Sequence, residues 1–399
     1  MAVNRPEKQR NNLVVGIYFH PEAFPPTLNA IGELSECFHE ITIVHRPHMQ
    51  TLWPFPSNVR AIPSGSYISS IEQELASLPK KIGFFLSFVR SFLSACRKNK
   101  PSMILVYDSL SLLAYRMIRP LLYNDHKLWY HNHDVTEWKS LRRYSIGWFA
   151  GKTENSAFRY LDIFSLPSNE RKKYFPMQEF NGKYFFIPNY PAKKFYNRFY
   201  TRKTAGSPLR LIFQGAIGPF HGIEEIISLL REPIENFRLQ LVLKGPCRDE
   251  HKQAYLDLAA KHGVSDQLIF AGVTPYAEVP ATASTCHIGI GILARNDLMN
   301  TTLGTASNKL YEYAAVGLPV IYYNSENFVP HLKRYSWAVP AGLDPHEIRE
   351  AIRSILLQYE RFSLEAHSDF ESHLNFETGF SHIKAFIKGL PANTGENAN

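Results

Sequence analysis

Short apolar runs alternate with amphipathic stretches along this chain, and the alternation starts twice. The first series reads as strand at 13–19, helix at 28–38, strands at 41–45 and 59–62, and a largely helical 71–98. It continues with strand 103–107, helix 109–122, strand 128–130, helix 141–160, strand 163–166, a short helix at 169–174 and strand 184–187. Strands this apolar are covered on both faces, so a parallel sheet with helices on each side is expected. Residues 192–208 are basic, rich in Lys, Arg, Tyr, Gly and Pro, and without period, and they read as a linker. The second series runs strand 209–213, helix 223–231, strand 238–243, helix 249–261, strand 268–270, short helix 279–285, strand 288–292, a helix around Glu312 and strand 320–323. Helical spacing returns at 345–357 and 370–387, and residues beyond 391 read as frayed. A chain of 399 residues has room for two such domains. Ligands of these sheets sit beyond the C-terminal strand ends.

Composition removes several classes. Apolar residues make up 45% and aromatic residues 13%, which supplies full cores and argues against disorder or a fibre. The four cysteines, Cys37, Cys96, Cys247 and Cys286, are scattered, with no Cys-x-x-Cys or Cys/His cluster. Neither zinc nor a disulfide framework is expected, and a reduced, cytoplasmic setting is. Residues 1–12 are polar and charged, without the apolar core of a signal peptide. No run of about 18 uncharged apolar residues is present to cross a membrane. A net charge of +8 calls for an anionic partner: nucleic acid, an anionic lipid surface or a phosphorylated ligand. No RNP motif, finger spacing or helix-turn-helix signature supports nucleic acid, which is set aside. Gly16 is followed by Ile, Tyr, Phe and His, so no dinucleotide fingerprint follows the first strand. Gly289-Ile290-Gly291 lies in an apolar run and reads as strand packing.

The richest chemistry lies in 307–321, Ser-Asn-Lys-Leu-Tyr-Glu-Tyr-Ala-Ala-Val-Gly-Leu-Pro-Val-Ile. Ser307 or Asn308 caps a helix, Gly317 ends it in the left-handed conformation, Pro319 stops any continuation, and a strand follows. One carboxylate, Glu312, sits about four residues into the helix, roughly 6 Å from its start at 1.5 Å per residue. That offset suits a pyrophosphate on the free N–H groups and a ribose diol on the carboxylate. An ion pair between Glu312 and Lys309 is the plainer alternative. Lys309 near a helix start opposes the dipole unless an anion is bound, so a phosphate role and a solvated lysine both stand.

This stretch resembles the donor-binding segment of GT-B glycosyltransferases, the family 4-like glycosyl transferases group 1. There an Asn/Ser-Lys-Leu-x-Glu-Tyr-x-Ala-x-Gly-x-Pro-Val-Ile pattern recurs. Leu211-Ile212-Phe213-Gln214-Gly215 resembles the first strand and glycine turn of the family's donor domain, and Gly222-Ile223-Glu224-Glu225 the helix start after it. Residues 264–272 resemble its strand ending in Phe-x-Gly, Ile187-Pro188-Asn189 the end of its first domain, and His131-Asn132-His133-Asp134 its Tyr-x-x-His-Asp strand end. The resemblance implies an α/β GT-B fold, two Rossmann-like parallel-sheet domains facing a cleft, with a C-terminal helix crossing back to the first. Residues 1–191, with a helix at about 365–390, would be the acceptor side, 192–208 the linker and 209–364 the nucleotide-sugar donor domain.

By that resemblance the chain is a hexosyl or related glycosyltransferase, as in polysaccharide biosynthesis. It moves sugar from a nucleotide-diphosphate donor, UDP- or GDP-linked, to a glycan, lipid-linked or other acceptor with retention. Glu312, Lys309, Asn308, Gly215, Ala216, His221, Lys244 and Arg295 are the donor-site candidates, and His133, His131 and Asp134 the catalytic ones. His133 would touch the transferred sugar, His131 shares its sheet face, and Asp134 would orient either; a satisfied buried histidine is the plain alternative. The chain has no Asp-x-Asp, so no metal and no other cofactor is expected, and helix dipole, N–H groups and cations must stabilise the leaving diphosphate. Three departures stand out. Gly304 takes the place of the family's first glutamate, Ala216 replaces the Arg of its Gly-Arg turn, and His221 replaces the Lys of its Lys-Gly pair. Lys309, Lys244 and Arg295 are the available cations, and His221 serves only if protonated or as a neutral donor. These losses keep open a catalytically weak GT-B subunit that binds a glycan or partner.

Residues 80–100 place Phe85, Phe88, Val89, Phe92 and Cys96 at helical spacing, flanked by Lys80, Lys81, Arg90, Arg97, Lys98 and Lys100. A membrane-surface helix and a helix covering a sheet both look like this. Trp138, Arg142, Arg143, Trp148 and Phe149 add a second basic-aromatic segment. The expected location is therefore cytoplasmic, with peripheral contact on the membrane face as one reading.

Overall fold

The computed structural model describes residues 11–122, 126–295, 297–298 and 300–390, apart from the side chains of Ser70 and Ile71. Most of the polar leader and the tail beyond 391 lie outside these. The described residues fall into two compact units, divided at Ile187/Pro188 and again at Gly379/Phe380.

The first unit contains β1 (Asn12–Ile17), α1 (Pro25–Leu34), β2 (Glu40–His45), β3 (Val59–Pro63), α2 (Ser70–Leu75), α3 (Leu78–Asn99), β4 (Met103–Tyr107), α4 (Asp108–Ile118), β5 (Lys127–His131), α5 (Ile146–Glu154), β6 (Ile163–Leu166) and β7 (Lys183–Phe186). Its seven strands are parallel, in the order β3-β2-β1-β4-β5-β6-β7. The strand order reverses between β1 and β4, and such a reversal opens a crevice at the C-terminal strand ends. The expected helix at 71–98 is two helices, because Ala76 and Ser77 are extended and Pro79 opens α3. The expected helix at 141–160 is shorter: Ser145 caps Trp148 N–H to start α5, and residues 155–160 tighten into 3-10 turns. Phe85, Phe88, Phe92 and Cys96 of α3 are buried in the core with Ile104, Val106 and Tyr115. That apolar stripe therefore covers the sheet and is not a membrane face. Gly16 admits α3 closely, since a Cβ there would stand 2.8 Å from the Phe92 ring.

The second unit contains α6 (Lys193–Tyr196), β8 (Leu209–Gln214), α7 (Ile223–Leu229), β9 (Leu239–Lys244), α8 (Asp249–Lys261), β10 (Leu268–Gly272), α9 (Val279–Ser284), β11 (Ile288–Gly291), α10 (Asn308–Ala315), β12 (Val320–Tyr323), α11 (Val329–Leu332), β13 (Ala338–Ala341), α12 (Pro345–Leu356) and α13 (Tyr359–Ser372). Its six strands are parallel in the order β10-β9-β8-β11-β12-β13, with the reversal between β8 and β11. β13 escaped the sequence reading because it contains Pro340, which an edge strand tolerates. Residues 192–208, read as a linker, carry α6 and a 3-10 turn, and Tyr196 is buried. The last helix, α14 (Phe376–Lys388), begins in this unit and belongs to the first from Phe380 onward. Asn375 separates it from α13 by donating to Phe370 O and accepting from Thr378 N–H. In the first unit, Phe380 packs on Trp129, and Lys384 pairs with Glu33 and Glu36.

The two glycines of β11 seat α10. A Cβ at Gly289 would lie 2.2 Å from the Tyr313 ring, and one at Gly291 would lie 2.1 Å from Leu310. Strand packing is thus the role of that Gly-Ile-Gly run. Replacing Gly289 with Ala is expected to destabilise the protein by about 1–3 kcal/mol through overpacking. Gly32, mid-helix in α1 with nothing within 4 Å of an added Cβ, is the control. Gly32→Ala should stabilise by about 0.5–1 kcal/mol. Urea unfolding of both variants checks the opposite signs.

Candidate functional site

The second unit gathers polar groups where its strand order reverses. β8 ends in Gln214 and turns at Gly215, whose φ of +124° favours glycine. α10 starts above β11 with Ser307 at its N-cap, yet the Ser307 side chain accepts no capping bond. Its hydroxyl and Asn308 Oδ1 are buried without a hydrogen-bond partner. The start of α10 is therefore left uncapped by these two side chains, the arrangement that binds anions. Gly317, at φ +73°, ends the helix as expected. Lys309 reaches across to the turn: its Nζ lies 3.2 Å from where a Gly215 Cβ would stand and 4.1 Å from the Phe213 ring centroid. His221 stacks on the same ring at 4.7 Å. Glu312, one turn further along α10, is 5% exposed and accepts from Gln214 Nε2 at 2.6 Å. The Tyr276 hydroxyl stands 3.4 Å from its other oxygen, and the Tyr313 hydroxyl accepts from Gln214 N–H at 2.7 Å.

Burial sets the protonation here. It pushes the Lys309 ammonium down from 10.5 to about 7, with Glu312 opposing the shift. Burial likewise raises the Glu312 carboxyl from 4.5 to about 7, against the pull of Tyr196, Tyr276, Lys309 and Gln214. Burial together with the charges of Lys309 and Arg295 holds His221 down at about 3. His221 is therefore neutral, and its buried Nδ1 lacks a partner. His221 thus senses the charges of both Lys309 and Arg295. Lys244, the other lysine among the candidates, is buried, and its ammonium donates to Ala271 O at 3.3 Å and senses Glu278. Ala216 is an exposed residue of the Gly215 turn. Gln214, Tyr276 and Tyr196 went unread in the sequence, although Gln214 occupies the last position of a strand, where ligand groups gather.

In the first unit the C-terminal ends of β4 and β5 hold a tight cluster. His133 N–H donates to Asp108 Oδ1 at 2.7 Å, its Nδ1 lies 2.9 Å from Asp108 Oδ2, and its Nε2 lies 2.9 Å from Thr27 Oγ1. Its ring is stacked between Phe24, at 4.6 Å, and Tyr107, at 4.7 Å. Both nitrogens and both faces of His133 are thus engaged. His131 lies on the same side, 5.0 Å away, and its Nδ1 meets Ser165 Oγ at 2.8 Å. Burial, then His133 and Arg171, keep His131 well below its usual value and neutral. Asp134 does not orient either histidine. It pairs with the buried Arg171 at 3.3 Å, and Arg171 also donates to His133 O. Asp108 is the orienting carboxylate that the sequence reading missed. It has a left-handed φ of +61°, rare for a non-glycine, and its side chain is 18% exposed. Its place directly after the strand Met103–Tyr107 was the available signal.

Gly304, at φ +34°, sits beside His331. A Cβ there would stand 2.8 Å from His331 Nε2, and Gly304 N–H donates to Asn327 Oδ1 at 3.1 Å.

Residues 201–367 match the family described as Glycosyl transferases group 1. No curated protein matches the chain by sequence. Among solved structures, it is similar to sucrose-phosphate synthase from Thermosynechococcus elongatus, at 14% identity and a TM-score of 0.68 over 95% of this chain and 98% of that one. It is similar to HepE of Anabaena, crystallised with UDP and glucose, at 11% identity and a TM-score of 0.65 over 95% and 100%. It is also similar to WaaG, a glycosyltransferase involved in lipopolysaccharide biosynthesis, at 11% identity and a TM-score of 0.61 over 95% and 100%. These likenesses establish the two-domain fold.

The raised Glu312 carboxyl has a consequence for stability. Because its folded value is about 7 against an ordinary 4.5, its contribution is fully present below 4.5 and is lost as pH rises through 7. Glu312→Gln should therefore raise stability at pH 8 by about 1–3 kcal/mol and leave it unchanged at pH 4. Urea unfolding at the two pH values checks this.

Proposed function

We propose that the chain is a glycosyltransferase of group 1 with the GT-B fold, and that its second unit binds a UDP- or GDP-linked sugar along α10. The observation that carries this reading is the uncapped start of α10, with Lys309 against the Gly215 turn and Glu312 one helical turn further on. The diphosphate lies on the α10 N–H groups and Lys309, and Glu312 accepts from the ribose hydroxyls. Arg295 adds a second cation, and His221 donates as a neutral imidazole, so the site has charge without the family's Arg and Lys. HepE crystals that contain UDP, UDP with glucose, and UDP-glucose favour UDP over GDP.

Transfer breaks the bond between the anomeric carbon and the diphosphate and joins that carbon to an acceptor hydroxyl. The helix N–H groups and cations stabilise the departing diphosphate, with no metal required of the protein. The family resemblance favours retention, in which a leaving-phosphate oxygen takes the acceptor proton. The first unit holds a glycan or lipid-linked acceptor at the ends of β4 and β5. His133 is a positioning residue here: it fixes Asp108, whose partly exposed carboxylate keeps lone pairs for an acceptor hydroxyl. His131 and Arg171 brace the same strand end.

Calorimetry against UDP-, GDP-, ADP- and TDP-sugars, followed by turnover assays with whichever binds, tests the reading. Glu312→Gln should weaken nucleotide binding by roughly tenfold or more, given about 1.5–3 kcal/mol for a charge-assisted hydrogen bond. Unchanged affinity with an intact fold would remove Glu312 from the site. Asp108→Asn and His133→Ala should lower turnover far more than nucleotide affinity. Full activity of either variant at saturating donor would end the acceptor-side role.

A further inference from the structure

We infer that one end of the first unit's helical layer docks on an anionic lipid surface. The connections that contain α3, α4 and α5 all step the same way across the sheet, so right-handed crossovers put these helices on one face. α4 packs against α3 and against α5. Helices of this kind run back from the C-terminal strand ends. The start of α3 and the loop leading into α5 therefore share one end of the layer.

That end combines exposed apolar groups with cations. On α3, Leu78, Ile82 and Leu86 are 42%, 41% and 38% exposed at helical spacing, on a different face from the buried phenylalanines. At α5, Leu141, Tyr144 and Phe149 are 39%, 60% and 44% exposed. Lys80 lies among the first group, and Lys139, Arg142 and Arg143 among the second, all exposed. Arg143 lies over the Tyr144 ring at 4.9 Å, and Lys152 over the Trp148 ring at 4.6 Å. Residues 78–100 and 138–152 contain no Asp or Glu. The carboxylates nearby in sequence are Glu72 and Glu74 on α2, Asp108, which His133 engages, Asp134, which Arg171 pairs, Glu137, and the buried Glu154.

Charge complementarity selects the occupant. A solvated helix face has both signs of charge, whereas these two segments have one sign and interleave it with aliphatic and amphipathic aromatic side chains. Cations meet lipid headgroups while Leu, Ile, Phe and Tyr enter the headgroup boundary. Among the described residues no helix is long and apolar enough to cross a membrane, so the contact is peripheral. Arg97 and Lys98 belong to the opposite end of α3 and take no part. The inference extends the proposed function by presenting the first unit to a membrane-borne acceptor, and it does not depend on the donor chemistry.

The test is flotation with vesicles of phosphatidylglycerol and phosphatidylcholine, with phosphatidylcholine alone as control. The protein should float with the anionic vesicles at low salt and release as salt rises. Arg142→Gln with Arg143→Gln should weaken partitioning roughly tenfold or more. Leu78→Ser with Ile82→Ser should also weaken it, whereas Arg97→Gln with Lys98→Gln should not. No flotation at low salt, equal flotation with neutral vesicles, or equal loss in the Arg97/Lys98 pair would overturn the inference, as would retention on heparin without flotation. UDP calorimetry on each protein separates the two readings: intact UDP binding beside failed flotation sinks this inference alone, and flotation without UDP binding sinks only the donor reading.

Discussion

The second unit depends on how closely α10 sits on β11. Two missing side chains, at Gly289 and Gly291, bring the helix in until Tyr313 and Leu310 occupy the space where Cβ atoms would be. That seating fixes the Tyr313 hydroxyl on Gln214 N–H, and Gln214 in turn holds the Glu312 carboxylate. The same rotation of the helix turns Lys309 toward the Gly215 turn. A helix standing further from the strand would keep its sequence and lose this geometry.

The α10 cluster and the His133 cluster treat buried polar groups in contrary ways. At α10, Lys309 and Glu312 are both drawn toward neutrality by burial, and the groups beside them leave hydrogen-bonding capacity unused at Ser307, Asn308 and His221. Such unused capacity is what the proposed diphosphate would meet. In the other cluster, at the ends of β4 and β5, His133 has both ring nitrogens and both ring faces engaged, and Asp108 beside it has a left-handed backbone. One cluster thus has polar capacity to spare, and the other has its central imidazole saturated.

Much of this was legible in the residues. Continuous apolar runs gave the parallel sheets, and the Ser307–Ile321 pattern gave the helix, its glycine end and the buried carboxylate. Those features are local: period, caps and breakers act over a few positions. What escaped was decided at longer range. Asp108 and His133 are 25 residues apart in sequence and meet only because β4 and β5 are neighbours. The role of Asp134 was misjudged because Arg171, a distant residue, takes its carboxylate. Pro340 hid β13, since its tolerance there depends on the strand being at the sheet edge. The phenylalanine stripe of α3 had two readings because helical spacing reveals a face but not what lies against it.

Gly304 and His331 carry a final consequence. The family resemblance puts a glutamate where this chain has Gly304, yet the volume its first carbon would need is held by an imidazole, and the backbone has a positive φ. The two positions therefore share one space. A side chain at 304 needs the partly exposed His331 imidazole to swing aside. It must also adopt a positive φ that side chains other than glycine rarely take, and turning the ring does not relieve that. The backbone at 304, more than the ring beside it, is thus what keeps this position a glycine.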